Sequence, residues 1–414
     1  MPTIYVSQAL PGDDGNPGTD PASPKLTIAS AVSAASANDE IQILDSNTYS
    51  PIRVFINKNL DFTAASGQTP VIDGAAAEAE NSSLGRPTFD DASVACVLTF
   101  TGYAFQNYGA TKDFNQIVDQ NGFITVQFSQ CTFTNLTRTH VFSNPPVGTS
   151  GAPTKLDRCR IERFSLKRLF GSPPGSDWYF LIQNSLFHYE GTDSGAVFID
   201  AGNNNHVNGI VRNCSLLVGL NDTYGTADGV IRCGTVENTI VRNTATVGSF
   251  STVAAIKAKS AYSNNCVNGN FAVTQVNTGG TDGGGLVTDD PLYTSESTPP
   301  DYELQSGSPC IDAGKTIAAV TVDYAGTSRP QGSAYDIGAY EFASGGGGGS
   351  FTPDDGEETY GVKFSSSFTI RGTANKLATR RFASDKDNRQ APFSVTVSGP
   401  ATIRGRTTPY KSET

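Results

Sequence analysis

Phe142, Phe170 and Phe198 are separated by 28 residues in both steps, each inside a short apolar phrase: HVFSNPP, RLFGSPP and AVFIDAG. The phrases GVIRCGT and AAIKAKS continue the series. A second set precedes them: VQFSQCTF (126–133), LDRCRIERF (156–164), IQNSLF (182–187), VRNCSLL (211–217) and VRNTATV (241–247). A chain that repeats short alternating runs every 22–30 residues or so builds coils, each a supersecondary unit that buries its apolar face only by stacking on the next. In a strand alternate side chains point inward, so Phe142, Phe170 and Phe198 are expected to stack inside, each on its equivalent one coil away. Composition agrees. Only 17% of residues are charged, there is one Met, and Gly numbers 43, a balance that favours strands and turns over long helices.

Asparagine marks the corners of these coils. Asn184, Asn213, Asn243 and Asn265 each precede a Ser, Cys or Thr at matching places. Asn tolerates left-handed backbone and hydrogen-bonds locally, so the four are expected to align at one corner, with the small residue after each filling the tight interior beside it. The opening, TIYVSQALPGDDGNPGTDPASPKLTIASAVSAASANDEIQIL, reads as a strand, a polar loop, a short amphipathic helix at Leu26–Ala35 and another strand. A helix there would cover the apolar cross-section of the solenoid's first coil.

These residues carry a resemblance. The opening is similar to the N-terminal cap of right-handed parallel β-helix proteins, the pectin-lyase-like group. The phrase SPCIDAG…VDYAGTSRPQGSAYDIGAYEF (308–342) resembles a terminal motif of its bacterial and phage members. The fold class expected is therefore all-β: a right-handed parallel β-helix over residues 1–343, with a cap at 1–40 and a closing motif at 304–342. Asp312, Asp323, Arg329 and Asp336 are expected to supply charge-assisted hydrogen bonds in that motif. The resemblance speaks to fold, because such scaffolds carry many activities.

The residues give little support to catalysis. The DD pairs at 13–14, 90–91, 289–290 and 354–355 fall in expected loops. Glu190, Asp193, Asp222 and Asp228 read as solvated loop acids. Asp200, Arg232 and Lys257 occupy similar places in three coils and are the weak catalytic candidates, with an outward charge ladder as the plainer role. No GxSxG or phosphate-binding loop occurs. Seven widely spaced cysteines, no CxxC and three histidines argue against a zinc site and for small buried thiols in a reducing compartment. No metal or cofactor is expected. No apolar run is long enough for a membrane helix, and the N-terminus shows no basic-then-apolar secretory pattern.

After Phe342 the character changes. ASGGGGGSFTPDDGEETYG leads from a Gly-rich to an acidic linker (344–361), and a basic strand-like module is expected over 362–414, where Thr369–Gly372 and Thr402–Gly405 repeat TIRG. Residues 1–361 carry 19 Lys and Arg against 37 Asp and Glu, whereas 362–414 carry 10 against 3. Arg371, Arg380, Arg381, Arg404 and Arg406 are the expected contacts to a partner. An acidic protein surface is preferred over nucleic acid, since no nucleic-acid-binding module accompanies them. Two functional readings stay open. One is a non-enzymatic phage virion protein of decoration, head-fibre or tail-spike type, made in the host cytoplasm, its body outward and its C-terminal module attached to other virion proteins; the resemblance implies a homo-oligomer, a trimer in similar proteins. The other is a polysaccharide-binding or polysaccharide-cleaving β-helix protein that meets a host-surface glycan.

Overall fold

A computed structural model describes residues 2–51, 54–75, 88–91, 94–108, 117, 124–136, 140–143, 153–164, 168–171, 179–189, 199–200, 208–219, 229–244, 254–269, 271, 273–277 and 281–343. The chain divides into two units, Met1–Phe342 and Ala343–Thr414. The first is a parallel β-helix, coiled in the right-handed sense that parallel strand–connection–strand units take.

Its walls are two long parallel sheets. The larger has 13 strands and starts with Thr3–Val6, Asp39–Ile43, Leu60–Ala64 and Cys96–Thr101. The second has nine strands, from Thr48–Tyr49 to Cys266–Asn268. Shorter pairs flank these walls, Val54–Ile56 with Phe89–Asp91 and His140–Ser143 with Arg168–Gly171. Strand alternation explains the interior. In the large sheet one register column runs Ile4, Ile41, Phe62, Phe100, Phe128, Leu156, Ile182, Val211, Val236, Tyr262, all buried. Facing it, the second sheet aligns Phe105, Phe133, Ile161, Phe187, Leu216 and Val241. Aromatic rings repeat along both walls: Phe62, Phe100 and Phe128 stack with centroids 4.7 and 5.3 Å apart, and Phe105 stacks on Phe133 at 5.2 Å. Such pairs add to the stabilisation that area burial alone provides.

The corner between the walls is a column of residues with positive φ: Gly102, Gln130, Arg158, Asn184, Asn213, Asn238 and Asn264. Each donates its amide to the next coil, as Asn213 does to Glu237 O at 3.1 Å and Asn238 to Ser263 O at 3.2 Å. Asn184 and Asn213 thus stand in the expected column, but Asn243 and Asn265 do not. Asn243 ends the strand Ile240–Asn243 of the second sheet, and Asn265 follows the corner residue Asn264. Their places belong to Asn238 and Asn264. The small-residue column follows directly: Cys131, Cys159, Ser185, Cys214, Thr239 and Asn265 are all buried.

At the N-terminus a seven-residue helix, Ile28–Ala34, lies within the expected 26–35 span, and Thr27 Oγ1 caps it by accepting from Ser30 N. Ile28, Ala31 and Val32 join the core at the first coil, as a cap over the open cross-section requires. The edge of the first strand is covered too, because Tyr5 N donates to Gly18 O and Lys25 N to Tyr5 O. Asp45 ties down the loop that follows, accepting from Ser7 Oγ, Tyr49 OH and the amides of Gln8, Ala9 and Asn47. Burial works to raise its pKa, but these donors hold it below the ordinary carboxylate value.

Candidate functional site

The pleat that turns Phe100 and its column inward turns their neighbours out. On the outer face of the large sheet one column reads Thr3, Glu40, Asp61, Thr99, Gln127, Lys155, and then becomes apolar at Leu181 and Ile210. Beside it run Gln42, Thr63, Thr101, Ser129, Asp157, Gln183, Arg212 and Glu237. The second to sixth strands of the large sheet hold a shallow depression of about 560 Å³ between these columns, lined mainly by Glu40, Asp61, Thr63, Thr99, Thr101, Gln127, Ser129 and Lys155. Hydroxyls and one amide dominate, which suits hydrogen bonding to a polar ligand more than acid–base chemistry.

Glu40, Asp61 and Arg212 on this face bond from coil to coil, and Lys155 within its strand. Glu40 accepts from Thr3 Oγ1 at 2.7 Å and from Thr63 Oγ1 at 2.6 Å, on the coils either side. Asp61 accepts from Thr99 Oγ1 at 2.5 Å. Lys155 pairs with Asp157 on its own strand at 2.9 Å. Arg212 donates to Gln183 Oε1 at 3.1 and 2.7 Å, while burial lowers its pKa against the attraction of Glu237 and Asp157.

The second sheet's outer face has another character. Its columns present Leu186, Leu217, Ile240 and Cys266 outward, and each is buried. The C-terminal segment covers them, contributing Tyr293, Tyr302, Leu304, Cys310, Ile337 and Ala339 to one apolar cluster. The 304–342 motif was expected to close the solenoid's end; instead it runs as a strap along the side of the second sheet, because these outward apolar residues need burial. Its polar contacts touch successive coils: Arg160 Nη2 donates to Pro300 O at 3.0 Å, Tyr302 OH to Phe187 O at 2.8 Å, Ala339 N to Ser215 Oγ at 3.0 Å, Gly338 N to Asn238 O at 2.8 Å and Asn264 Nδ2 to Ala313 O at 2.9 Å. Gly338 has φ +111°, a left-handed backbone that favours glycine, and a Cβ there would also crowd Ile240 Cδ1 at 2.8 Å.

Inside the strap lies a buried ionic knot. Arg329 pairs with Glu341, both side chains wholly buried, and donates to Gly338 O at 2.9 Å and Asp336 O at 3.4 Å. Asp336 accepts from the amides of Asp312 and Phe342, Asp323 from those of Thr327 and Glu341, and Asp312 from Ala334 N. Three buried carboxylates (Asp323, Asp336, Glu341) thus surround one guanidinium. Burial first, with Glu341 adding, pushes Asp336 up to about 6, and burial lowers Arg329 from its ordinary value.

Asp200, Arg232 and Lys257 are register partners on successive strands. They lie on later strands of the large sheet itself and are not among the residues that line the depression. Phe142 and Phe170 are likewise paired in register, while Phe198 lies outside the described residues. So do Arg371, Arg380, Arg381, Arg404 and Arg406. Asp312, Arg329 and Asp336 meet in the strap, where the direct ionic partner, Glu341, is a residue that sequence reasoning passed over. The signal for it was present in DIGAYEF, as a second acid three residues after the glycine in a phrase that is otherwise apolar apart from Asp336. Among the described residues no group of three or more His, Cys, Asp or Glu side chains is arranged to hold a metal ion, and no helix is long and apolar enough to cross a membrane.

No family model matches the chain, and no curated protein sequence does. Among solved structures, it is similar to the crystal structure of pectate lyase Pel9A, at 14% identity and a TM-score of 0.35, over 82% of this chain and 96% of that one.

Proposed function

We propose that this β-helix protein is a non-enzymatic structural component of a virus particle, of phage decoration, fibre or spike type. In this reading the body is displayed outward and residues 362–414 attach it to other virion proteins, with oligomerisation of the whole. The carrying observation is the outer face of the large sheet. There Glu40 and Asp61 are held by Thr hydroxyls of neighbouring coils, which stitches coils together, and Lys155 is paired with Asp157 on its own strand, an arrangement that engages these groups rather than freeing them to move protons. The excess of acid in residues 1–361 and of base in 362–414 supports two surfaces facing different partners. Seven buried cysteines, none of them in a disulfide, fit synthesis in a reducing host cytoplasm.

A second reading is contact with a host-surface glycan, favoured by the hydroxyl-lined depression on the same face. The test has two arms. Deleting residues 344–414 is expected to leave a folded body that no longer joins the particle; normal incorporation of the truncated body would overturn the attachment role. Purified protein is expected to release neither reducing ends nor unsaturated products from host polysaccharides. Turnover abolished by substituting Asp200, Arg232 or Lys257 would replace the structural reading with an enzymatic one.

A further inference from the structure

Two free thiols lie in the cluster where the strap meets the last coils. Cys266 belongs to the second sheet's outward column, one coil beyond Ile240. Cys310 sits in the strap phrase SPCIDAG. Both are wholly buried in the cluster that joins strap to sheet, and one turn brings them together: Ser308 Oγ, which accepts from Cys310 N, donates to Pro291 O at 2.6 Å, two residues beyond the Asp289 carbonyl that Cys266 Sγ meets. The surroundings fix both positions: Cys266 Sγ donates to Asp289 O at 3.6 Å, Cys310 N to Ser308 Oγ at 3.2 Å, and Ile337 N to Cys310 O at 2.9 Å. One cysteine is therefore supplied by the solenoid and the other by the segment that lies on it.

We propose that Cys266 and Cys310 form a redox-closed clasp, free as thiols in a reducing compartment and joined as a disulfide when the protein meets a low-molecular-weight disulfide. The chemistry balances by two exchanges. The thiolate of either cysteine attacks one sulphur of glutathione disulfide, giving a mixed disulfide and releasing a glutathione thiolate. The second cysteine thiolate then attacks the protein sulphur of that mixed disulfide and expels the second glutathione. Two cysteine protons end on two glutathione thiols, the protein pair is oxidised, and glutathione disulfide is reduced.

The position gives the bond a consequence. A solenoid coil is stabilised mainly by its neighbours, so unfolding starts at the end coils. Cys266 lies on the last strand of the second sheet, and the bond would tie it to a strap whose other contacts reach back to Arg160 and Phe187. It would also close the 44-residue separation between the two cysteines, removing chain entropy from the unfolded state. The Cys131–Cys159 pair differs. Its members are buried on adjacent coils of the interior, where Arg160 N donates to Cys131 O, and no separate segment is fastened there. The Cys266 thiol and burial together raise the Cys310 pKa well above the ordinary value, so exchange waits for the strap to lift and closure is slow in the folded state.

The full chain incubated with glutathione disulfide at mildly alkaline pH, alkylated and digested without reductant, tests this by mass spectrometry. The expected result is a linked peptide containing Cys266 and Cys310 that vanishes on reduction. It should come with a reductant-reversible rise in melting temperature of several degrees, absent in Cys310→Ala and retained in Cys131→Ala. Because the linkage is mapped in the unsubstituted protein, the result does not depend on a variant folding. A Cys131–Cys159 link as the sole product, a stable glutathione adduct at Cys310 without closure, or no link of any kind would each overturn the proposal. So would a Cys266–Cys310 link that leaves the melting temperature unchanged. The inference does not rest on the virion reading, and neither assembly nor glycan assays bear on it.

Discussion

Replacing Arg329 by alanine should loosen the strap while leaving the solenoid coiled. Arg329 is the cation among three buried carboxylates, and its fork also serves the carbonyls of Asp336 and Gly338. Removing one member of a buried ion pair costs about 3–5 kcal/mol, since the remaining charge has neither water nor partner. At about 1.4 kcal/mol per tenfold, that corresponds to roughly a hundredfold to a few thousandfold more frequent opening. Hydrogen exchange reads it directly at the amides of Ile337, Gly338 and Ala339, whose acceptors are Cys310 O, Asn238 O and Ser215 Oγ. Amides of the first coils, such as Ile4 and Phe62, should keep their protection, because local openings are drawn from separate cooperative units.

The pH dependence carries a sign that a packing defect would lack. Asp336 in the folded protein titrates at about 6, above its ordinary value of 3.8. A group raised in this way contributes stability that is complete below 3.8 and is lost as pH rises through about 6. Without Arg329 the buried carboxylates depend still more on being protonated. The variant's loss of strap protection, corrected for intrinsic exchange, should be largest above pH 6 or so and shrink as pH falls toward the ordinary Asp value. Unchanged strap protection, or a deficit that grows in acid, would refute the knot as the strap's fastening.

Phe100→Ala removes the ring at the centre of the large sheet's aromatic column, stacked between Phe62 and Phe128; a loss of about 3–5 kcal/mol in urea unfolding is expected, and less than about 1 kcal/mol would put the ring outside a close-packed core. Asp45→Asn keeps the shape but not the charge that gathers five donors at the N-terminal loop, costing about 2 kcal/mol by local exchange. Because the Asp45 pKa is depressed, wild-type protection at Gln8 and Ala9 should fall as pH drops below the ordinary Asp value, and the variant should lack that step. Asn238→Gly keeps the left-handed corner but removes the amide that meets Lys315 N and O, both at 2.7 Å. Asn238→Ala loses both features and should be the less stable by about 1–2 kcal/mol in thermal melts.

The coils were legible because each strand obeys the same alternation, and a period near 28 is visible in Phe142 and Phe170, which pair in register. The later corners were not, because the period drifts. Positive-φ residues at 130, 158, 184, 213, 238 and 264 are separated by 25 to 29 residues. The phrase VRN then misleads. Residues 211–213 lead out of the large sheet into the corner, whereas 241–243 lie wholly in the second sheet. The same three side chains suit both places, so local pattern cannot separate Asn238 from Asn243. The strap did leave a trace in Leu186–Tyr189 and Ser215–Val218, buried at every position. Strands covered on both faces read as continuous apolar runs, and SLLV is one. The outer face of the large sheet had no such trace, since Thr, Gln and Ser at outward positions are what any solvated strand presents.

The strap changes what kind of object the solenoid is. Stacked coils alone form a one-dimensional chain of neighbours, in which a weak coil opens without consulting those beyond it. A segment that bonds to Arg160, Phe187, Ser215, Asn238 and Asn264 links coils that do not touch one another, so opening one requires releasing contacts on several. Sequence cost follows function here. Outward apolar residues occur where the strap lies, while the five coils bearing the depression keep Thr, Gln, Ser and hydrogen-bonded acids outward. One lateral face is spent on holding the coils together as a unit, and the other is left polar and open to whatever it meets. Rigidity thus comes from the clamped side, while the other keeps its polar groups at the surface.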